Sequence, residues 1–147
     1  MKTFASIPTF DDVNLILRLY EIRREARMRQ ARAWFLAKFK PRTWQEAQAL
    51  IPAGSEENAS YRMVTSHWEM VASFLTSGVL NRELFYQSGR ELLVCWERMR
   101  DLVSDIRTAN NNPLEFTNLE RAAAAYVNWW TNQAPGAYEA FSRRVRG

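Results

Sequence analysis

His67 and Cys95 are the only histidine and the only cysteine in the chain, and so its only candidates for imidazole or thiolate chemistry. Acid–base work at His67 needs a carboxylate, a thiolate or a second imidazole aimed at the ring. Glu69, two residues on, points away from His67 on any helix that holds both. Cys95 would have to approach across a helical hairpin, making a thiolate–imidazole pair. The helical phases favour packing roles for both, because each lies on or beside an apolar stripe. One histidine and one cysteine exclude the usual zinc sites within one chain. No Glu-x-x-His repeat offers a di-iron site, and the scattered glycines build no phosphate loop. The sequence therefore assigns no catalytic residue, no cofactor and no metal ligand.

The element that must position these residues is a helical hairpin over residues 61–99. In its first helix Tyr61, Val64, Trp68, Val71 and Leu75 form a 3-4-3-4 stripe, widened by Met63, His67, Met70 and Phe74. Arg62, Glu69 and Ser73 lie opposite. Gly78 suits the left-handed terminating position, and Asn81 caps the next helix with Glu83 in its first turn. That partner helix is expected from about Arg82 to Arg107, with Phe85, Leu92, Trp96, Met99, Val103 and Ile106 on one face. Ser88 and Gly89 on the same side predict close approach of a neighbour or a slight kink. Arg90, Glu97, Asp101 and Asp105 read as a solvated face.

Trp68-Glu69, then Gly78-Val79-Leu80-Asn81-Arg82-Glu83-Leu84, then Trp96-Glu97 resemble a pattern in a family of uncharacterised bacterial helical proteins, a domain of unknown function. There an aromatic–Glu pair precedes a Gly-hydrophobic-hydrophobic-Asp/Asn turn, and a tryptophan follows on the next helix. The resemblance covers residues 61–107 and implies a helical fold and a bacterial origin. It implies no activity, cofactor or site. Many members of that family carry membrane-spanning N-terminal segments, whereas this chain has a basic helix there.

The basic helix is the feature that points outward. Net charge is +4, yet between Arg18 and Arg42 nine basic residues face only Glu21 and Glu25, a local +7. Thr9-Phe10-Asp11-Asp12 supplies capping residues for a helix running to about Phe39, ended by Lys40-Pro41. Val13, Ile16, Leu17 and Tyr20 share one face, rejoined by Ala31, Trp34 and Phe35. Leu15, Leu19, Ile22 and Ala26 form a second stripe on roughly the opposite side. A helix apolar on two sides needs two partners, which makes Leu15, Leu19, Ile22 and Ala26 the candidate dimer or partner surface. Arg23, Arg24, Arg27, Arg29 and Arg32 are the candidate anion contacts, for nucleic acid or for acids elsewhere in the protein. They spread around the helix, which argues against a single lipid-facing side.

The rest of the chain is also helical in pattern. Thr43-Trp44-Gln45-Glu46 fits a capping box for a short helix to about Leu50, and Ile51 to Ser55 is a loop. Asn110-Asn111-Asn112-Pro113 is the clearest break. Thr117-Asn118-Leu119-Glu120 reads as a second capping box, opening a helix with Leu119, Ala122, Ala123, Tyr126, Val127 and Trp130 inward. Trp129 lies off that stripe, covering a neighbour or marking a contact rim. Pro135-Gly136 stops this helix before a short basic one.

With 47% hydrophobic and 13% aromatic residues among 147, disorder is excluded and a dense core is expected. The fold class read from the sequence is all-α, a single domain over residues 1–147, a bundle of four main helices plus one or two short ones. Met1-Lys2-Thr3 opens no signal peptide, and the short run from Val13 to Tyr20 contains Arg18 and cannot span a bilayer. One cysteine makes no internal disulfide, which favours the cytoplasm. The function expected is that of a non-enzymatic bacterial protein acting through protein–protein contacts, as a homodimer or with another protein. The alternative is a nucleic-acid-binding regulator using the basic helix.

Overall fold

The computed structural model describes residues 7–147, so the leader reading at residues 1–6 lies outside the described residues. Among the described residues the secondary structure is nine helices and no strand: α1 Phe10–Arg24, α2 Ala26–Lys38, α3 Trp44–Leu50, α4 Glu56–Thr76, α5 Arg82–Tyr86, α6 Glu91–Met99, α7 Val103–Ala109, α8 Thr117–Gln133 and α9 Ala137–Arg146. The all-α expectation holds; the helix count is higher because two expected long helices are divided.

α4 is the centre of the packing, held between α2 and α8, with α6 across it. Its buried side carries Tyr61, Val64, Trp68, Val71 and Leu75, the stripe expected from the 3-4-3-4 spacing. From α2, Phe35 stacks on Phe39 at 5.0 Å, and Phe39 meets Tyr61 at 5.2 Å. Leu92, Leu93 and Met99 of α6 and Leu119 and Tyr126 of α8 complete one contiguous core. Arg98 ties α6 to α2: its Nη1 donates to the carbonyls of Phe35 and Phe39, at 3.0 and 2.9 Å. The Phe39 carbonyl lies at the end of α2, where helix carbonyls lack an intrahelical partner, and the Phe35 carbonyl takes Arg98 in addition to the Phe39 N–H.

The first expected helix is broken at Glu25, which takes an extended backbone (φ −60°, ψ 142°). Its carboxylate accepts the N–H groups of Arg27 at 3.0 Å and Met28 at 2.9 Å, capping α2. No proline or glycine marks this elbow, and the flanking arginines and alanine are good helix formers. Periodicity alone therefore reads straight through it.

The second expected long helix, residues 82–107, is three pieces. Gly78 ends α4 in the left-handed region as expected (φ +82°). The break before α6 is at Gly89, where a Cβ would lie 2.3 Å from Cζ of Phe85. Ser88-Gly89 thus marks a bend around the chain's own Phe85 ring.

Two further corrections concern acids. The second capping box does not open α8: its N-cap is Phe116, in the left-handed region (φ 59°). The cap comes from α4, where Glu69 accepts the Leu119 N–H at 2.8 Å and the Asn118 amide at 2.9 Å. Glu120 instead pairs with Arg107 at 3.0 Å. Glu97, expected on a solvated face, has a fully buried side chain. α9 folds back over α6, so that Tyr138 and Ser142 donate to Glu97 and Arg146 approaches it.

Candidate functional site

The rotation of α1 decides which of its two apolar stripes is free. Asp12 and Arg23, three turns apart, lie on the same side and are both anchored. Asp12 Oδ1 accepts the Asn81 N–H at 2.8 Å, and Arg23 pairs with Glu91 of α6. Leu15, Ile16 and Leu19 lie between these anchors and pack on the core, with Leu19 buried. Phe10, Val13, Leu17 and Tyr20 face outward, Phe10 86% and Leu17 55% exposed. Of the expected partner surface, then, Leu15 and Leu19 are taken up by the core, while Ile22 and Ala26 stay exposed. Of the other stripe read from the sequence, Val13, Leu17 and Tyr20 face outward, whereas Ile16, Ala31, Trp34 and Phe35 pack in or against the core.

The five candidate anion contacts divide in the same way. Arg32 grips Glu91 with two bonds, Nε to Oε1 at 2.8 Å and Nη2 to Oε2 at 2.7 Å, in the fork geometry that carboxylates favour. Arg23 donates to the same carboxylate. Arg27 reaches Glu56 at 3.3 Å and the Ser60 hydroxyl at 3.2 Å. Arg24 is exposed beside the Tyr20 ring, and Arg29 is exposed. Burial alone would raise the Glu91 pKa, but the Arg32 hydrogen bonds and the Arg23 charge hold it below the usual carboxylate value. Three of the five arginines therefore act inside the fold.

His67 is buried beside this cluster, its ring edge-on to Trp68 at 4.8 Å. Its Nε2 makes no hydrogen bond. Burial and then the Arg23 charge lower its pKa to about 4, which keeps the ring neutral at physiological pH. Cys95 is buried, and burial pushes its thiol pKa up, away from thiolate reactivity. No hydrogen bond joins Cys95 to His67 among the described residues. The two rare residues pack, and the space between α1 and His67 is only about 20 Å³. Trp129 covers Tyr86 at 5.1 Å.

A larger concavity lies elsewhere. An open groove of about 920 Å³ runs between α3, the first half of α4 and the α7–α8 connection. Trp44, Ile51, Pro52, Tyr61, Ile106 and Phe116 give it an apolar lining, and Arg62, Glu69 and Glu115 are its charged groups. Burial raises the Tyr61 pKa, so the phenol is neutral there. The sequence reading assigned none of these residues to a site. The usable signal was the Asn110–Pro113 break, since loops held on a rigid scaffold carry binding residues more often than cores do.

Among the described residues no group of three His, Cys, Asp or Glu side chains is placed to hold a metal ion. No described helix is long and apolar enough to cross a membrane. No curated protein and no solved structure matches the chain. The match that is found covers α1 through most of α8 and reaches well beyond the hairpin pattern: the family model of a domain of unknown function, DUF4760, matches residues 8–129, and the chain belongs to that family.

Proposed function

We propose that this chain is a non-enzymatic, bacterial, cytoplasmic protein that acts through protein contacts, pairing with a second copy of itself along α1. The observation that carries this reading is the exposed stripe Phe10, Val13, Leu17 and Tyr20. Its 3-4-3 spacing is that of a helix–helix seam. In an antiparallel two-fold pair, Phe10 of one copy lies opposite Tyr20 of the other, and Val13 opposite Leu17. Each contact is then repeated by the symmetry, as an isologous interface requires. The antiparallel direction also opposes the dipoles of the two helices, which favours it over a parallel pair.

The seam is short, about 15 Å at 1.5 Å per residue, so the dimer is expected to be weak and concentration-dependent. Sedimentation equilibrium from about 10 µM to about 1 mM tests it, a range that brackets such transient interfaces. The wild type should move toward a dimer, and Leu17→Glu should remain a monomer with an unchanged helical circular-dichroism spectrum. A wild-type monomer throughout that range removes self-pairing. The nucleic-acid alternative has less support, since Arg23, Arg27 and Arg32 already have acid partners.

A further inference from the structure

We propose that the groove between α3, α4 and the α7–α8 connection binds a small amphipathic cation, an amine or quaternary ammonium group carried on an apolar body. The size fits: about 920 Å³ lies within the range of roughly 300–1,000 Å³ typical of small-molecule sites. The lining fits as well. Trp44, Tyr61 and Phe116 present aromatic surface, whose ring faces attract cations, and Ile51 and Ile106 add aliphatic wall.

Charge selects the sign of the ligand. The chain as a whole is +4, yet the half-buried charges of this groove are the carboxylates Glu69 and Glu115. Among the described residues Arg62 is the cation that lines the groove; it is exposed, and its Nε donates to Asn58 at 2.9 Å, while Arg107 behind the loop is paired with Glu120. Water and salt screen an exposed charge more than a sheltered one. Glu69 spends both oxygens on the start of α8. Glu115 does not: Oε1 takes long bonds from Asn110 (3.3 Å) and Asn112 (3.4 Å), and Oε2 has no donor among the described residues. Glu115 is therefore the group that would meet the ammonium.

The loop presenting it is pre-set. Asn111 and Phe116 both sit in the left-handed region (φ 48° and 59°), a costly backbone state for phenylalanine. Arg107 holds the loop there through the Glu115 carbonyl at 2.9 Å. A ligand would find Glu115 and Phe116 already in place, and would lose little affinity to ordering them.

Calorimetric titration with 4-phenylbutylamine and its trimethylammonium analogue tests the site, against 4-phenylbutyrate and 4-phenylbutanol as anionic and neutral matches. The cations should bind saturably at one site, ahead of both matches. Glu115→Gln should weaken them about tenfold, the loss of one charged contact. Arg62→Gln should hold or tighten their binding, and this second variant keeps the test open if Glu115→Gln fails to fold. Butyrate binding equal to or tighter than the amine overturns the proposal. So does an unchanged affinity in folded Glu115→Gln, or no saturable binding of either cation up to about 10 mM, the weak end of measurable affinity.

Discussion

Asp12 of α1 accepts the backbone N–H of Asn81 at 2.8 Å, joining the first turn of α1 to the turn after α4 across 69 positions of sequence. Its other oxygen accepts the Thr9 N–H at 2.8 Å, so one carboxylate caps its own helix and docks it. With Arg23 on Glu91 at the far end, α1 is held by polar contacts at both ends and by leucine and isoleucine between. Two apolar stripes compete for the core on this helix. The anchors decide the outcome.

Replacing Asp12 by alanine should therefore free α1 before it harms the rest. Amide hydrogen exchange should quicken over residues 10–24 and at Asn81, while α4 and α8 keep their protection. The Asn81 and Thr9 backbone bonds hold the Asp12 carboxyl below its ordinary value. Its contribution is thus complete above that ordinary value and is lost as pH falls through the lowered one. Unchanged exchange in α1 would mean that apolar contacts alone set its rotation.

Glu91 carries two arginines from two helices, and its side chain is only 15% exposed. Glu91→Leu would leave Arg23 and Arg32 half-buried without a counter-charge, and should cost roughly 2–4 kcal/mol in urea unfolding. Adding Arg32→Met to that variant should recover part of the loss, because an uncompensated charge is then removed. A Glu91→Leu loss below about 0.5 kcal/mol, the size of an exposed pair, would place the cluster in effective contact with water.

Much of the fold was legible because helix signals are local. The α4 stripe, the Thr43 cap, the stop at Gly78 and the cap at Asn81 each depend on residues within a few positions. What could not be read depends on partners far away in sequence. Glu69 looks like a solvated residue on the outer side of α4 until α8 arrives to be capped by it. Glu97 looks solvated until Tyr138 and Ser142 close over it from α9. The elbow at Glu25 has a local cause, but a glutamate cap among good helix formers is too weak a signal to outweigh periodicity. The candidate groove was hidden for the first reason: α3, α4 and the 110–116 loop meet only in three dimensions.

Gly89 is needed for a steric reason that a double-mutant cycle can isolate. An added Cβ would fall 2.3 Å from Phe85 Cζ, and Phe85 is itself buried. Gly89→Ala should cost about 1–3 kcal/mol, the range for overpacking a core. In a Phe85→Leu background the same change should cost less than about 1 kcal/mol, since the obstructing ring edge is gone. Equal costs in both backgrounds would assign the effect to the backbone at residue 89.

His67 should make the protein sensitive to mild acid, and the sign follows from its surroundings. In the unfolded chain the imidazole titrates near 6.5; in the fold, burial and the Arg23 charge lower that to about 4. Between these values the unfolded state binds the proton and the folded state does not, so stability falls as pH drops through this window. The full difference corresponds to on the order of 3 kcal/mol, reached only near the lower value. Above pH 7 the ring is neutral in both states and contributes no slope. The groups facing it are Arg23, Arg32 and Glu91, and Glu91, held below its usual value, titrates beneath the upper part of this window. Urea unfolding of wild type and His67→Gln at half-unit steps from pH 7.5 to 4.5 separates the contributions. The variant should show a shallower decline from 6.5 downward, and two parallel curves would mean that the folded imidazole takes up its proton as readily as the unfolded one.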